Sequence, residues 1–109
     1  MSLTDKHCVP CEGGVPKLTA ERVQELLKEI PGWEAPQSHH LHRIFRFPDF
    51  KQGLEFVNRA GEIAEQEGHH PDLLLAWGRV EVTIFTHSID GLSENDFVLA
   101  AKLGQLYGK

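Results

Sequence analysis

The sequence predicts an α+β fold, an antiparallel sheet with helices packed on one of its faces. Three observations point there. Helical and strand periodicities follow one another as helix, strands, helix, strands, helix, which matches neither a regular parallel βαβ repeat nor an all-β chain. The 109 residues suit one hydrophobic core, because two independent cores would each be too small to stabilise themselves. An apolar fraction of 40% with 25% charged residues belongs to an ordinary globular chain and not to a disordered one.

Residues 1–18 are rich in Gly, Pro and Cys and carry no periodicity, so they read as a flexible N-terminal arm ahead of a single domain over 19–109. Thr19 is placed to cap a first helix. Val23, Leu26, Leu27 and Ile30 then recur on one helical face until Pro31 and Gly32 stop the pattern. Trp33 is expected in a short partner strand. From His40 to Phe47 the pattern alternates, with Leu41, Arg43, Phe45 and Phe47 on one side, as a strand requires. Asp49 and Gln52 resemble a capping box for the longest helix, whose apolar stripe is read as Phe50, Leu54, Val57, Ala60, Ile63 and Ala64, ending at Gly68. The runs Leu73 to Trp77 and Val80 to Phe85 flank Gly78 and Arg79, as in a hairpin. Ser93 caps the last helix, with Asp96 at its third position, Leu92 and Phe97 as a hydrophobic staple, and Phe97, Ala100, Leu103, Gly104 and Tyr107 as its apolar positions. A sheet covered on one face leaves edges to manage, which predicts self-association.

Several function classes are disfavoured by composition. A formal charge of −5, from 16 acidic and 11 basic side chains, repels phosphate backbones, so direct nucleic-acid binding is not expected. No apolar run approaches the roughly 20 residues that cross a bilayer, and the amino terminus lacks the residue order of a secretion signal. A soluble, cytoplasmic protein without a membrane partner is the expectation. Cys8 and Cys11 form a Cys-Val-Pro-Cys pair among Pro10, Gly13, Gly14 and Pro16, which excludes a disulfide scaffold and reads as part of the terminal arm; a redox or zinc role is the rival reading.

The histidines carry the chemical signal. There are seven, and three of them stand at element ends: His69 and His70 where a helix gives way to a strand before the rigid Pro71, and His87 at the far end of the strand that follows. Imidazole alone among unperturbed side chains changes charge near neutral pH, so a cluster can supply a proton donor and a proton acceptor together. The bland alternative is that adjacent histidines at a helix end merely meet its dipole and last carbonyls. A metal reading competes through His69, His70, His87 and Glu65, although successive residues of an extended segment point to opposite sides and converge poorly on one centre. His40 and His42 share a strand face and read as solvated; His7 and His39 carry no readable signal.

The segment Glu65-Gln66-Glu67-Gly68-His69-His70-Pro71, followed by Trp77, His87 and Asp96, resembles the pterin-4a-carbinolamine dehydratase family. That family's pattern is an acidic or similar residue, three free positions, a His-His-Pro triplet, an aromatic, a later histidine and a later aspartate, and each is present at the family's spacing. The likeness extends through Gly32-Trp33, the Phe-rich strand, Thr86-His87 and Gly91-Leu92-Ser93-Glu94, over about residues 18–107, and the Cys-Val-Pro-Cys-Glu-Gly-Gly arm looks like that of many bacterial members.

The resemblance implies a four-stranded antiparallel sheet with three helices on one face, assembled into homodimers or homotetramers. It implies an enzyme that removes water from a 4a-hydroxytetrahydropterin released by aromatic amino-acid hydroxylases, giving quinonoid dihydropterin without cofactor or metal. The pterin is then the substrate, and such a hydroxylase a candidate partner. Carried over by position, His69, His70 and His87 are catalytic, Glu65 and Asp96 support the imidazoles, and Pro71, Trp77 and Thr86 contact substrate. Other readings stand beside these: Asp96 completes the Ser93 cap, Glu65 is an exposed helix residue, and Trp77 fills the core. Some animal members have an aromatic at the position of Leu73 and an arginine at that of Asn95, so contacts made by those groups are not expected here. Animal relatives also bind a transcription factor, and some members are associated with molybdopterin metabolism, which supply the alternative functions.

Overall fold

The computed structural model of the protein describes residues 3–8 and 16–108. Three helices, α1 (Ala20–Leu27), α2 (Phe50–Glu67) and α3 (Glu94–Tyr107), accompany three strands, β1 (Leu41–Arg46), β2 (Asp72–Ala76) and β3 (Arg79–Ile84). The strand order is β1-β3-β2, and both pairs are antiparallel. Leu41 faces Ile84 and Phe45 faces Val80 across β1 and β3, while Asp72 faces Thr83 across β2 and β3.

The caps form where side-chain acceptors meet the open first-turn amides. Thr19 Oγ1 accepts from Arg22 N at 3.2 Å, Asp49 Oδ1 from Gln52 N at 2.9 Å, and Ser93 and Asp96 make a reciprocal capping box at α3. Leu41, Phe45, Val80, Val82 and Ile84 turn into the core and meet Val23 and Leu26 of α1, Phe56 and Ala60 of α2, and Phe97 to Leu103 of α3.

Four expectations are corrected. The sheet has three strands, not four: the Trp33 segment contributes a single bridge, in which the Glu34 and His42 amides exchange hydrogen bonds at 2.9 and 2.8 Å. Pro36, which has no amide hydrogen, and left-handed Gln37 and Ser38 then turn the chain away before a ladder can grow. The hairpin turn is Trp77–Gly78, one residue earlier than read, because Gly78 takes the left-handed conformation (φ +72°) that the turn needs while Arg79 pairs with Ala76. On α2 the buried stripe is Gly53, Phe56, Ala60 and Ala64, leaving Phe50 and Leu54 exposed. Gly53 faces the sheet at close range: a Cβ there would stand 3.1 Å from Leu75 Cδ1, a tight contact that glycine avoids. In α3, Asn95 to Ala100 are buried without interruption, because β1, α2 and the turn at Leu3–Asp5 all pack on it, and Tyr107 at its end lies at the surface.

Within the arm, Leu3 is buried against the core, Lys6 pairs with Glu94 at 2.8 Å, and the Cys8 amide donates to Glu67 Oε1 at 2.7 Å. Cys11 lies outside the described residues. No helix among the described residues is long and apolar enough to cross a membrane.

Candidate active site

Helix α2 ends because Gly68 adopts φ +67°, ψ 26°, a left-handed cap whose amide reaches back to Ala64 O and Glu65 O. The chain is thereby turned so that the next two side chains diverge. His69 goes inward and is 6% exposed, whereas His70 lies at the surface. Its ring nitrogen Nε2 pairs with the Glu65 carboxylate one turn back on α2.

The inward imidazole meets the start of α3. His69 Nε2 lies 2.5 Å from Asp96 Oδ1, and Asp96 is wholly buried. The other carboxylate oxygen accepts from Thr86 Oγ1 at 2.9 Å and from the Ser93 amide at 2.8 Å, and Thr86 Oγ1 also lies 2.8 Å from Ser93 Oγ. A carboxylate that accepts from Nε2 requires the hydrogen on that nitrogen, which fixes the tautomer and leaves Nδ1 to take up or release a proton. One carboxylate thus closes the α3 capping box and pairs with His69. Buried polar atoms need such partners, and this network supplies them.

His87 opens the short 3-10 turn His87–Ile89 after β3. Its ring is exposed and lies against Phe85, with centroids 4.0 Å apart and planes tilted by 37°. His69, His70 and His87 line one pocket of about 220 Å3 together with Gly68, Phe85, Thr86 and Ser88. Among the described residues no three His, Cys, Asp or Glu side chains converge as a metal site would require, the two adjacent histidines being tied to different carboxylates.

Of the other expected residues, Thr86 lines this pocket and Pro71 stands beside it without lining it. Trp77 is 73% exposed in the hairpin turn, at the opposite end of β2 and β3 from His87. It does not pack in the core, which corrects that reading, and it is not among the residues that line this pocket. Phe85 and His39 were missed. The His39 and Phe85 ring centroids lie 5.0 Å apart, and His39 Nε2 pairs with Asp90 Oδ1 at 2.8 Å. The hydrogen bond and charge of His39 hold the Asp90 carboxyl below its ordinary range, with Lys17 and His87 adding to it. Burial, then the neighbouring His39 and His42, push the His40 imidazole down. Alternation marks Phe85 only as facing away from Ile84, and His39 follows a turn with no period, so sequence carried no signal for their meeting.

Imidazoles around one small cavity, one of them hydrogen-bonded to a buried carboxylate, have the chemistry to donate and to accept protons. Against this geometry, the sequence profile described as "Pterin 4 alpha carbinolamine dehydratase" matches residues 16–106, which include every residue of the pocket. The chain belongs to the pterin-4a-carbinolamine dehydratase family. Relatives provisionally named pterin-4-alpha-carbinolamine dehydratase support this: one from Rubrobacter xylanophilus is 56% identical over 95% of this chain and 97% of its own length. Another, from Rickettsia bellii, is 52% identical over 96% of this chain and 94% of its own. A crystal structure from Brucella melitensis, titled transcriptional coactivator/pterin dehydratase, superposes with a TM-score of 0.81 at 34% identity, covering 85% of this chain and all of that one. Membership of the dehydratase family accords with the α+β fold.

Proposed function

We propose that the pocket binds a 4a-hydroxytetrahydropterin and removes water from it by histidine acid–base catalysis. The observation that carries this reading is the grouping of His69, His70 and His87 on one cavity, with His69 fixed by Asp96. In the reaction the C4a–O bond breaks as the N5 lone pair forms the C4a=N5 bond; an imidazolium protonates the departing oxygen, and a neutral imidazole accepts the N5 proton. The products are quinonoid dihydropterin and water, and the protein returns to its starting protonation after one proton passes back between the two rings or through solvent.

His69 and His87 exchange the protons in this scheme, and His70, tied to Glu65 at the surface, holds the ring. Phe85 offers an apolar face to the flat substrate beside His87. The role so assigned is recycling of the pterin used by aromatic amino-acid hydroxylases, in the cytoplasm, by a homodimer or homotetramer. Purified protein supplied with 4a-hydroxytetrahydropterin should speed the loss of water well beyond the spontaneous rate; a rate equal to the spontaneous one refutes the proposal.

A second reading, a partner-binding module, is favoured by the likeness to the Brucella melitensis protein, which is named a transcriptional coactivator as well as a pterin dehydratase. It would use the exposed surface of the helices and leave the histidines idle, so a full dehydration rate in protein free of partners decides for the enzyme.

A further inference from the structure

A second cavity, of about 350 Å3, lies away from the histidines, between the chain after α1, strand β1 and helix α3. Two nitrogen donors, Trp33 Nε1 and the Arg43 guanidinium, border it. Trp33 is 7% exposed, and its buried indole Nε1 has no hydrogen-bond partner among the described residues. An orphaned buried donor of this kind is uncommon and costs about 1–3 kcal/mol where nothing satisfies it.

Beside it stands Arg43, which the alternation of β1 sends to the core side of the sheet among Leu41 and Phe45. Among the described residues its guanidinium has no carboxylate partner, and its one hydrogen bond, to Pro31 O, is 3.4 Å long. It lies over the Phe45 and Tyr107 rings, with Cζ 4.4 and 5.5 Å from the centroids. Burial pushes its pKa down from the ordinary arginine value, against a contribution from Tyr107, so its charge is held at a cost in hydration. A guanidinium offers five N–H donors and no acceptor, which leaves most of them unused here.

Gly104 makes the space between the two donors. A Cβ on that residue would stand 3.5 Å from Arg43 Nη1 and 3.9 Å from Trp33 Nε1, so both nitrogens border the volume that a side chain at this turn of α3 would fill. Leu3, Ile30, Pro31 and Ala100 give the cavity apolar walls, and Glu29 stands in its lining as a negative charge.

We propose that this cavity is a binding site for a small monocarboxylate with an apolar body. The carboxylate accepts from the Arg43 fork and from Trp33 Nε1 over the bare Gly104, and the apolar body lies against Leu3, Ile30 and Ala100. Bidentate acceptance from arginine suits a planar carboxylate. Glu29 opposes a dianion, which selects against phosphate. The proposal is independent of the dehydratase reading, since no residue of the histidine pocket takes part.

The test is a titration of 15N-labelled full-length protein with benzoate and hexanoate, following the two tryptophan indole N–H signals, that of Trp33 assigned by Trp33→Phe. Benzyl alcohol, hexanol and inorganic phosphate serve as controls. The Trp33 signal should move saturably with the carboxylates while the Trp77 signal stays in place. Gly104→Ala fills the cradle at ordinary contact distances and suits a helix interior, so it should fold and weaken binding by about tenfold or more. Arg43→Gln should weaken it comparably, with the circular dichroism of both variants unchanged. The proposal is overturned by the absence of a saturable shift, by alcohols or phosphate binding as tightly as the carboxylates, or by a folded Gly104→Ala protein that binds as wild type does.

Discussion

Asp96 accepts hydrogen bonds from His69 Nε2, Thr86 Oγ1 and the Ser93 amide with its carboxylate wholly buried. Asp96→Asn keeps the shape but replaces one acceptor oxygen with a donor, so His69 loses the partner that fixes its tautomer. Dehydration should fall by about 100-fold or more, as replacement of a histidine-orienting aspartate does elsewhere, with a loss of about 1–3 kcal/mol in urea unfolding from the mispaired donors. A variant that unfolds normally and reacts at the wild-type rate contradicts this role. Glu65 is a weaker case: its pair with His70 is exposed at both ends, and exposed pairs contribute at most about 1 kcal/mol, so Glu65→Gln should leave the melting temperature nearly unchanged. The place of Asp96 beside the histidines was carried only by the family resemblance, whereas the Ser93–Asp96 cap was legible because a capping box has a fixed spacing. Phe85 and Trp77 were not, since periodicity reports the face of a strand and not what lies across a loop from it.

At the scale of elements, Gly68 is where α2 is turned into the histidine pair. A Cβ there meets no atom within 4 Å, so Gly68→Ala should cost only the left-handed backbone, about 1 kcal/mol or somewhat more, read as a lowered midpoint in urea. It should also slow dehydration, because relaxing φ from +67° redirects His69 and His70 together; an unaltered midpoint contradicts the account. Phe45, central to the inner face of β1, should cost about 3–5 kcal/mol on truncation to alanine. Helix starts were readable from Thr19, Asp49 and Ser93, since caps are local chemistry. The fourth strand, the α2 stripe and the all-round burial of α3 were not. Each depends on a tertiary partner: the turn that removes the Trp33 segment from the sheet, the close approach of Gly53 to Leu75, and the packing of Leu3 behind α3.

Across the whole molecule, Glu67 joins the arm to the end of α2. Its side chain is nearly buried and accepts from the Cys8 amide at 2.7 Å, with His7 Nδ1 at 3.0 Å and Lys102 Nζ at 3.4 Å. Burial alone would raise its carboxyl pKa, but the Cys8 amide, His7 and Lys102 together bring it below the ordinary value. A carboxyl that titrates lower in the folded than in the unfolded chain stabilises fully above the ordinary glutamate range and loses that contribution as pH falls through the folded value. Proteolytic cleavage within the arm should therefore rise on acidification below the glutamate range, and Glu67→Gln should show the raised cleavage already at neutral pH; cleavage independent of both contradicts the clasp. The open edge of β2, with Leu74 and Trp77 exposed beside it, accords with the proposed self-association. The single-turnover rate of 4a-hydroxytetrahydropterin dehydration by wild type and His87→Ala tests the histidine pocket most directly. The His87 side chain is exposed and makes no hydrogen bond among the described residues, while its carbonyl, which accepts from the Asp90 amide, is kept on mutation, so its loss should leave the melting temperature nearly intact and lower the rate by about 100-fold or more. A folded His87→Ala protein that dehydrates the pterin as fast as wild type would contradict the account.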